Sequence, residues 1–217
     1  MNINRMIKAL TEIVPINFAI HIGLVLTSLF ISIVIGISLG ILLSRDKMKF
    51  ASNIIVQILN ILQTIPPFAF VAISLPLLGF GYLPTIIVLV FQAIMPIIKG
   101  TIVGILQVNS RIREAAKGLG MTNFDILREL ELPFSMPYIL NGIKTSSTYV
   151  VSVSTLAGFV GAGGLGTLIS SGIAMLYPEY LIIGSLLCAV IALGMNFIIE
   201  IIEKRIITKL FGSNNGF

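Results

Sequence analysis

The chain has 217 residues, a mean hydropathy of +1.05 and 11% charged residues, whereas a soluble domain carries about 25% charge. Its 14 basic and 9 acidic side chains are too few to cover the surface of a soluble domain, so lipid must cover the remainder. An ordinary cytosolic enzyme and a disordered chain are therefore excluded, and Cys188 as the only cysteine excludes a disulfide framework.

Charged residues fall in clusters that are separated by long charge-free segments. These segments are residues 13–44, 50–98, 145–178 and 180–199. Because a membrane-spanning helix needs about 20 apolar residues, they predict an all-α membrane protein that forms a single transmembrane domain, residues 1–217, with five transmembrane helices. The predicted spans are residues 22–43, 54–76, 84–106, 138–160 and 180–202.

The distribution of Lys and Arg predicts the orientation of these spans. One side of the membrane receives 12 of the 14 basic residues, and the other receives only Arg5 and Lys8. The side rich in Lys and Arg is normally the cytoplasm, so we expect the N-terminus outside and the C-terminus inside. The net charge of +5 follows from this topology, and a nucleic-acid partner is not needed to explain it.

Residues 1–20 form a segment whose apolar side chains recur at helical spacing. Its basic start leads into an apolar run that is too long for the core of a signal peptide, and no A-x-A-like site follows. We therefore expect an N-terminal amphipathic segment that lies on the membrane surface.

The first span carries a small residue at every fourth position, which lets another helix approach closely. This stripe consists of Ser28, Ser32, Gly36 and Gly40. Packing within the chain is the favoured interpretation, and a subunit interface is the alternative. His21 lies near the outer end of this span, where we expect an interfacial hydrogen bond, because the sequence supplies no partners for metal binding or acid–base chemistry.

The second span is interrupted by two successive prolines, Pro66 and Pro67. They remove two backbone donors, so the helix must break or kink there. Two interpretations stay open: a packing kink, or a break at which Thr64, Pro66 and Pro67 line a translocation path. We expect Lys99, near the inner end of the third span, to extend its side chain to the cytoplasm, and we assign it to no ion site.

The fourth span is rich in hydroxyl groups. At about 100° per residue, one arc of the helix carries six polar or aromatic side chains. They are Thr145, Thr148, Tyr149, Ser152, Thr155 and Phe159. This face fits either a solute path or hydrogen bonds between helices, and a path of this composition carries no fixed charge, which favours a polar or zwitterionic solute.

A glycine-rich run follows the fourth span and matches G-x-G-x-x-G by pattern alone. Its glycines are Gly161, Gly163, Gly164 and Gly166. A dinucleotide site requires this pattern between a strand and a helix, and a P-loop requires Lys where Thr167 stands. We therefore expect no cofactor bound by this chain, and we interpret the run as a flexible external turn or gate.

Residues 107–137 form the only long polar connection, and its charges are mixed in sign. We expect two short helices in it. The first covers Ser110–Leu119, and the second begins at Thr122 with Asp125 in a capping box and stops before Pro133. A structured polar loop between two spans indicates a docking site for another protein.

This loop resembles the EAA loop of binding-protein-dependent ABC importer permeases. Glu114-Ala115-Ala116, Gly120 and Leu130-Glu131-Leu132-Pro133 match its pattern EAA-x3-G-x9-I-x-L-P, with Leu130 in place of Ile. In that family the loop forms a coupling helix that sits in a cleft of the ATP-binding subunit. The resemblance implies an ATPase-coupling role for eight residues. They are Glu114, Ala115, Ala116, Lys117, Gly120, Asp125, Leu132 and Pro133.

The resemblance extends over most of residues 60–200 and includes QTIPPFAF, PLLGFG and the GAGGLG turn. Within the superfamily these stretches are most similar to osmoprotectant permeases for glycine betaine, carnitine and choline. Methionine permeases, which share the size and the GAGGLG turn, are the alternative. A passive channel would explain the hydroxyl face but not the coupling loop, and an intramembrane Ser-His protease would need His21 deeper in the membrane.

The resemblance also implies the assembly. We expect a type I ABC importer permease in the bacterial cell membrane that crosses it several times and works by alternating access. Its expected partners are an ATP-binding subunit that carries ATP and Mg²⁺, a second permease subunit that is identical or related, an extracellular solute-binding protein and membrane lipid. The chain itself is expected to be a transport subunit and not an enzyme.

Overall fold

The structure, a computed structural model, describes residues 3–212, and within that range all regular structure is helical. The α-helices are α1 Ile3–Lys8, α2 Val14–Leu43, α3 Lys49–Gln63, α4 Pro67–Leu78, α5 Tyr82–Leu106, α6 Ser110–Gly118, α7 Asn123–Ile126, α8 Leu132–Ser154, α9 Gly166–Ala174 and α10 Pro178–Phe211. Two π-helical turns, Ala9–Ile13 and Leu127–Glu131, and two 3₁₀ turns, Asp46–Met48 and Thr155–Val160, connect some of them.

Three helical segments of the described chain are long and apolar enough to cross a membrane: residues 3–43, α5 and α10. Helices α3 and α4 form a fourth segment of this kind if they are counted together as one broken span. They are bent by 100° relative to each other at the break before Pro67. The predicted break in the second span is therefore confirmed. Helix α8, at the place of the fourth predicted span, is 23 residues long, but its many hydroxyl groups make it less apolar than the others.

At two places the helix continues through a proline, because a π-turn precedes that proline. The N–H of Leu132 bonds to the carbonyl of Leu127, five residues back, and Pro133 follows in the first turn of α8. The wider turn gives the proline ring room beside the preceding carbonyls. The prediction that this helix stops before Pro133 is therefore wrong, because α7 runs on into α8.

A π-turn also joins α1 to α2. The N–H of Val14 bonds to the carbonyl of Ala9, and Pro15 lies in the first turn of α2. Residues 3–43 therefore form one helical run, with no break between the N-terminal segment and the first predicted span.

The bundle centres on α2, α5 and α8, which approach closely where small residues face each other. A Cβ on Gly36 would lie 2.8 Å from Ile97, and a Cβ on Gly142 would lie 2.6 Å from the carbonyl oxygen of Pro96. Ser28 and Ser32 are completely buried. The small-residue stripe of the first span is thus packed inside the chain, against α5.

His21 is completely buried and not at an interface with solvent. Its Nε2 atom lies 3.0 Å from the Oγ of Ser154 and 4.0 Å from the Sγ of Cys188. The predicted interfacial hydrogen bond is corrected to an interior one, because α8 and α10 cover this end of α2. Because both side chains are buried, this His-Ser pair is a hydrogen-bonded contact between helices.

The glycine-rich run forms a packed turn against the same histidine. Gly161, Gly163 and Gly164 have φ angles of 70°, 82° and 78°, which other residues rarely adopt. A Cβ on Gly164 would lie 3.2 Å from the Nδ1 of His21, and a Cβ on Gly166 would overlap the carbonyl oxygen of Thr155. These contacts leave this turn little free space.

We expect Gly166→Ala to destabilise the protein by about 2–3 kcal/mol, because the new methyl group must displace backbone. Gly194→Ala is the matched control, since nothing lies within 4 Å of a Cβ at that helical position. Thermal unfolding of the purified protein in detergent compares the two. Equal melting temperatures for the two variants would contradict this account of the turn.

Candidate functional site

The loop between α5 and α8 starts with a well-terminated helix. Asn109 caps α6 by accepting a hydrogen bond from the N–H of Arg111 at 2.9 Å. At the other end the N–H of Met121 bonds to the carbonyl of Ala116 at 3.1 Å, and that of Gly120 to the carbonyl of Lys117 at 3.0 Å. This is a Schellman motif with Gly120 in the left-handed region, at φ 87°. The glycine of the EAA pattern therefore ends the helix.

Helix α6 projects its outer face away from the bundle. Glu114, Ala115 and Lys117 are exposed, whereas Ala116 is buried against the rest of the chain. Leu119, directly after the helix, is 85% exposed. We call this outer surface, formed by Ile112, Glu114, Ala115, Lys117, Leu119 and Phe124, the coupling surface. Its mix of charge and exposed apolar area is typical of a protein-docking surface.

Helix α7 begins with the predicted capping box, which is confirmed. The hydroxyl and the backbone N–H of Thr122 both donate to the carboxylate of Asp125, and the N–H of Asp125 donates back to the hydroxyl at 3.2 Å. These two hydrogen bonds, helped by the charge of Arg128, lower the pKa of Asp125 below its ordinary value of 3.8. Asp125 thus fixes the turn between α6 and α7.

A buried carboxylate connects the loop to the bundle. Glu131 is only 3% exposed and lies between two arginines. Its Oε2 accepts a hydrogen bond from Arg45 at 2.7 Å, and its Oε1 lies 3.1 Å from the Nε of Arg113. Arg113, on α6, also donates to the carbonyl of Ile105 at the end of α5. We call Arg45, Arg113 and Glu131 the ionic cluster; it joins the end of α2, helix α6 and the start of α8.

Sequence reasoning placed Glu131 inside the EAA pattern but gave it no role. Its partner Arg45 is 86 residues away in the chain, and no local spacing predicts such a contact. The available signal was an acidic residue between Leu130 and Leu132 at the entry to an apolar helix, where an unpaired charge is unfavourable. Leu132 and Pro133, which were assigned to coupling, are half-buried in the first turn of α8.

A cavity of about 420 Å³ lies between α3, α5 and α8. Its lining combines polar and apolar residues and consists of Gln63, Pro96, Lys99, Gly100, Val103, Tyr138, Asn141, Gly142, Thr145 and Tyr149. A second cavity of about 100 Å³ shares Gln63 and Tyr149 with it. Lys99 donates a hydrogen bond to Gln63 and lines the large cavity. The expectation that Lys99 points away into the cytoplasm is corrected, and the cavity contains a fixed positive charge.

The structure brings together some of the nine residues assigned to a translocation path. Thr145 and Tyr149 line the large cavity, and Pro67 and Tyr149 line the small one. Thr148 instead approaches Asn196 on α10, with 3.2 Å between the two side-chain oxygens, and Phe159 packs edge-on against Phe68 at 6.2 Å between ring centroids.

The remaining assigned residues lie outside both cavities. The hydroxyl groups of Thr64, Ser152 and Thr155 donate to carbonyls of their own helical turns. Pro66 is exposed at the break before α4.

Long apolar helices, a cavity between them that carries several polar side chains and a structured loop that projects from their ends together define a multi-pass membrane transport subunit. The sequence comparisons identify its class. Residues 32–210 match the family described as binding-protein-dependent transport system inner membrane component. The chain belongs to this family.

Characterised relatives are similar over most of the chain. A glycine betaine/carnitine/choline transport system permease of Bacillus subtilis is 35% identical over 87% of this chain and 86% of its own length. A choline transport system permease of the same organism is 37% identical over 86% and 85%. An osmoprotectant import permease of Salmonella typhimurium is 36% identical over 86% of this chain and 79% of the relative.

Among solved structures, the methionine ABC transporter MetNI in inward-facing conformations has the same fold. One of its chains superposes with a TM-score of 0.72, at 23% identity, over 88% of this chain and 93% of that chain. Another crystal form gives a TM-score of 0.73 at 22% identity. The arrangement of helices in this chain is therefore similar to that in the MetNI chain.

We expect Glu131→Gln to destabilise the attachment of α6 by about 2 kcal/mol, because two guanidinium groups then face each other without a carboxylate. Hydrogen exchange of residues 110–118 and thermal unfolding measure the effect. Glu129→Gln is the control, since Glu129 is exposed on the same turn. Equal exchange in the two variants would show that the ionic cluster does not hold the helix.

Proposed function

We propose that this chain is the transmembrane subunit of an ATP-driven importer for compatible solutes of the glycine betaine, carnitine and choline type. The observation that carries this proposal is the similarity to permeases named for these solutes, at 35% and 37% identity over more than four-fifths of the chain. The cavity with its several polar side chains and the projecting coupling surface support a transport subunit that is driven by another protein.

We propose that the chain spans the membrane five times. In this arrangement α3 and α4 together form one span with a break at Pro66 and Pro67, and α8 forms another. The N-terminus lies outside, because 12 of the 14 Lys and Arg residues then face the cytoplasm. The coupling surface lies inside, and the glycine-rich turn lies outside.

The coupling surface docks in a cleft of an ATP-binding subunit, which carries ATP and Mg²⁺. Exposed Ala115 and the helix-ending Gly120 let α6 enter a cleft, and Glu114, Lys117 and Asp125 orient it by charge. The ionic cluster then transmits movement of α6 to α2 and α8. A second permease subunit, identical or related, and an external solute-binding protein complete the importer, and its cycle alternates between inward-facing and outward-facing states.

The solute path runs along the two cavities, with Thr145 and Tyr149 on its wall. Pro67 lies on the wall of the small cavity, and Thr64, Pro66, Ser152, Thr155 and Phe159 extend the path towards the outside. An importer for methionine is the second candidate; its support is the shared fold with MetNI, at 22–23% identity.

Uptake by the reconstituted importer identifies the cargo. The permease, its ATP-binding subunit and its binding protein are placed in proteoliposomes with ATP inside, and labelled glycine betaine, carnitine, choline and methionine are compared. We expect uptake of one or more of the three osmoprotectants and none of methionine. Uptake of methionine alone would support the alternative, and uptake of any solute without ATP would indicate a channel.

We expect Glu114→Lys to leave membrane insertion intact and to lower ATP-dependent uptake by about tenfold, because it reverses the charge at the docking surface. The matched control is Glu12→Lys, which reverses an exposed charge in the N-terminal part of the helical run of residues 3–43. Glu12 is not part of the coupling surface. Normal uptake by Glu114→Lys, measured in the same proteoliposomes, would exclude this residue from coupling.

Thiol labelling in intact cells tests the orientation. In a Cys188→Ser background, we expect a membrane-impermeant maleimide to label Leu176→Cys, because residue 176 is 84% exposed and lies on the outer side in the proposed topology. Leu119→Cys should react only after the cells are permeabilised. The reverse pattern would invert the proposed topology.

A further inference from the structure

The lysine in the large cavity is placed where a charge is unfavourable. Lys99 lies within α5, one of the long apolar helices, and its side chain is half-buried. None of the other residues that line the cavity is acidic, and the amide oxygen of Gln63 is the group that accepts its hydrogen bond. A charged residue at such a position is costly and generally marks a solute or ion pathway. The positive charge is therefore available to an anionic group.

The wall opposite Lys99 is one face of α8. Tyr138, Asn141, Thr145 and Tyr149 recur at intervals of three to four residues, so they lie on the same side of the helix. Tyr138 and Tyr149 remain 40% and 41% exposed, which leaves ring surface accessible. Aromatic rings of this kind attract quaternary ammonium groups by cation–π contact.

The floor of the cavity is formed by backbone, which fixes the separation of its walls. A Cβ on Gly100 would lie 2.5 Å from the carbonyl oxygen of Tyr138, and one on Gly142 would lie 2.6 Å from that of Pro96. Helices α5 and α8 are therefore in direct backbone contact beside Lys99 and Tyr138. A volume of about 420 Å³ is ample for a small organic solute.

We infer that this cavity is a binding site for zwitterionic solutes, with the solute carboxylate at the ammonium group of Lys99 and its quaternary ammonium on the ring of Tyr149. This inference rests on the proposed function and adds a direction of selectivity. Glycine betaine and carnitine carry both groups. Choline offers only the cation, which the ring attracts and Lys99 repels, so the cavity favours zwitterions over choline.

The test uses the purified complex of the permease with its ATP-binding subunit, without the solute-binding protein, so that selectivity of that protein does not contribute. Equilibrium dialysis measures the binding of labelled glycine betaine and of labelled choline at millimolar concentrations. We expect tighter binding of glycine betaine, and a fall of about tenfold in the betaine-to-choline affinity ratio in Lys99→Gln. Lys99→Arg should keep most of the preference.

Lys204→Gln is the matched control, because it removes the same charge from an exposed lysine that pairs with Glu200 at 3.0 Å, outside the cavity lining; its ratio should equal that of the wild type. Tyr149→Leu and Tyr149→Phe test the aromatic wall independently of Lys99. Tyr149→Leu, which removes the ring, should weaken the binding of both ligands, and Tyr149→Phe should retain it.

Equal binding of the two ligands to the wild type, an unchanged ratio in Lys99→Gln, or no binding of glycine betaine would each overturn the inference. Absence of binding here, together with ATP-dependent betaine uptake by the complete importer, would leave the proposed function intact. Absence of osmoprotectant uptake by the complete importer would instead reject the proposed function.

Discussion

The ion pairs of Glu131 are the interaction on which the loop between α5 and α8 depends for its position. A carboxylate that is 3% exposed is stable only because two guanidinium groups reach it from different elements. One comes from the end of α2 and the other from α6. As Glu131 itself directly precedes α8, a single side chain fixes three elements relative to one another.

Helix continuity complements this ionic cluster. The π-turn before Pro133 lets α7 continue into α8. The second half of the loop and the fourth predicted span therefore form one continuous helix. The Schellman motif at Gly120 and the capping box at Thr122 fix the angle between α6 and α7 through local hydrogen bonds. In the proposed importer, a force on the coupling surface therefore reaches the helices without passing through a flexible segment.

The sequence predicted those features that depend on local chemistry. The break at Pro66 and Pro67 follows from two missing donors, the capping box from Thr122 and Asp125, and the helical loop between α5 and α8 from its charges and its cap and stop residues. Features that depend on contacts between distant residues were missed. The burial of His21 requires α8 and α10 to cover α2, and the direction of Lys99 is set by Gln63 on another helix.

The continuation of α7 into α8 was missed for a different reason. Proline normally ends a helix, and no residue pattern in this sequence predicts the π-turn that accommodates Pro133. The glycine-rich run was predicted to be a turn, but its packing on His21 was not predicted, because that contact depends on the position of α2. Sequence therefore located the elements, and the packing between them decided which polar groups became available to a solute or a partner.

In the proposed importer, Arg113 and Glu131 transmit movement of α6 to the spans as one unit. A double-mutant cycle tests it most directly: solute uptake per ATP hydrolysed is measured in proteoliposomes for Arg113→Gln, Glu131→Gln and the double variant. The account predicts that each single change lowers uptake per ATP and that the double variant is no worse than the more severe single one. Effects that multiply, or single variants that transport normally, would contradict it.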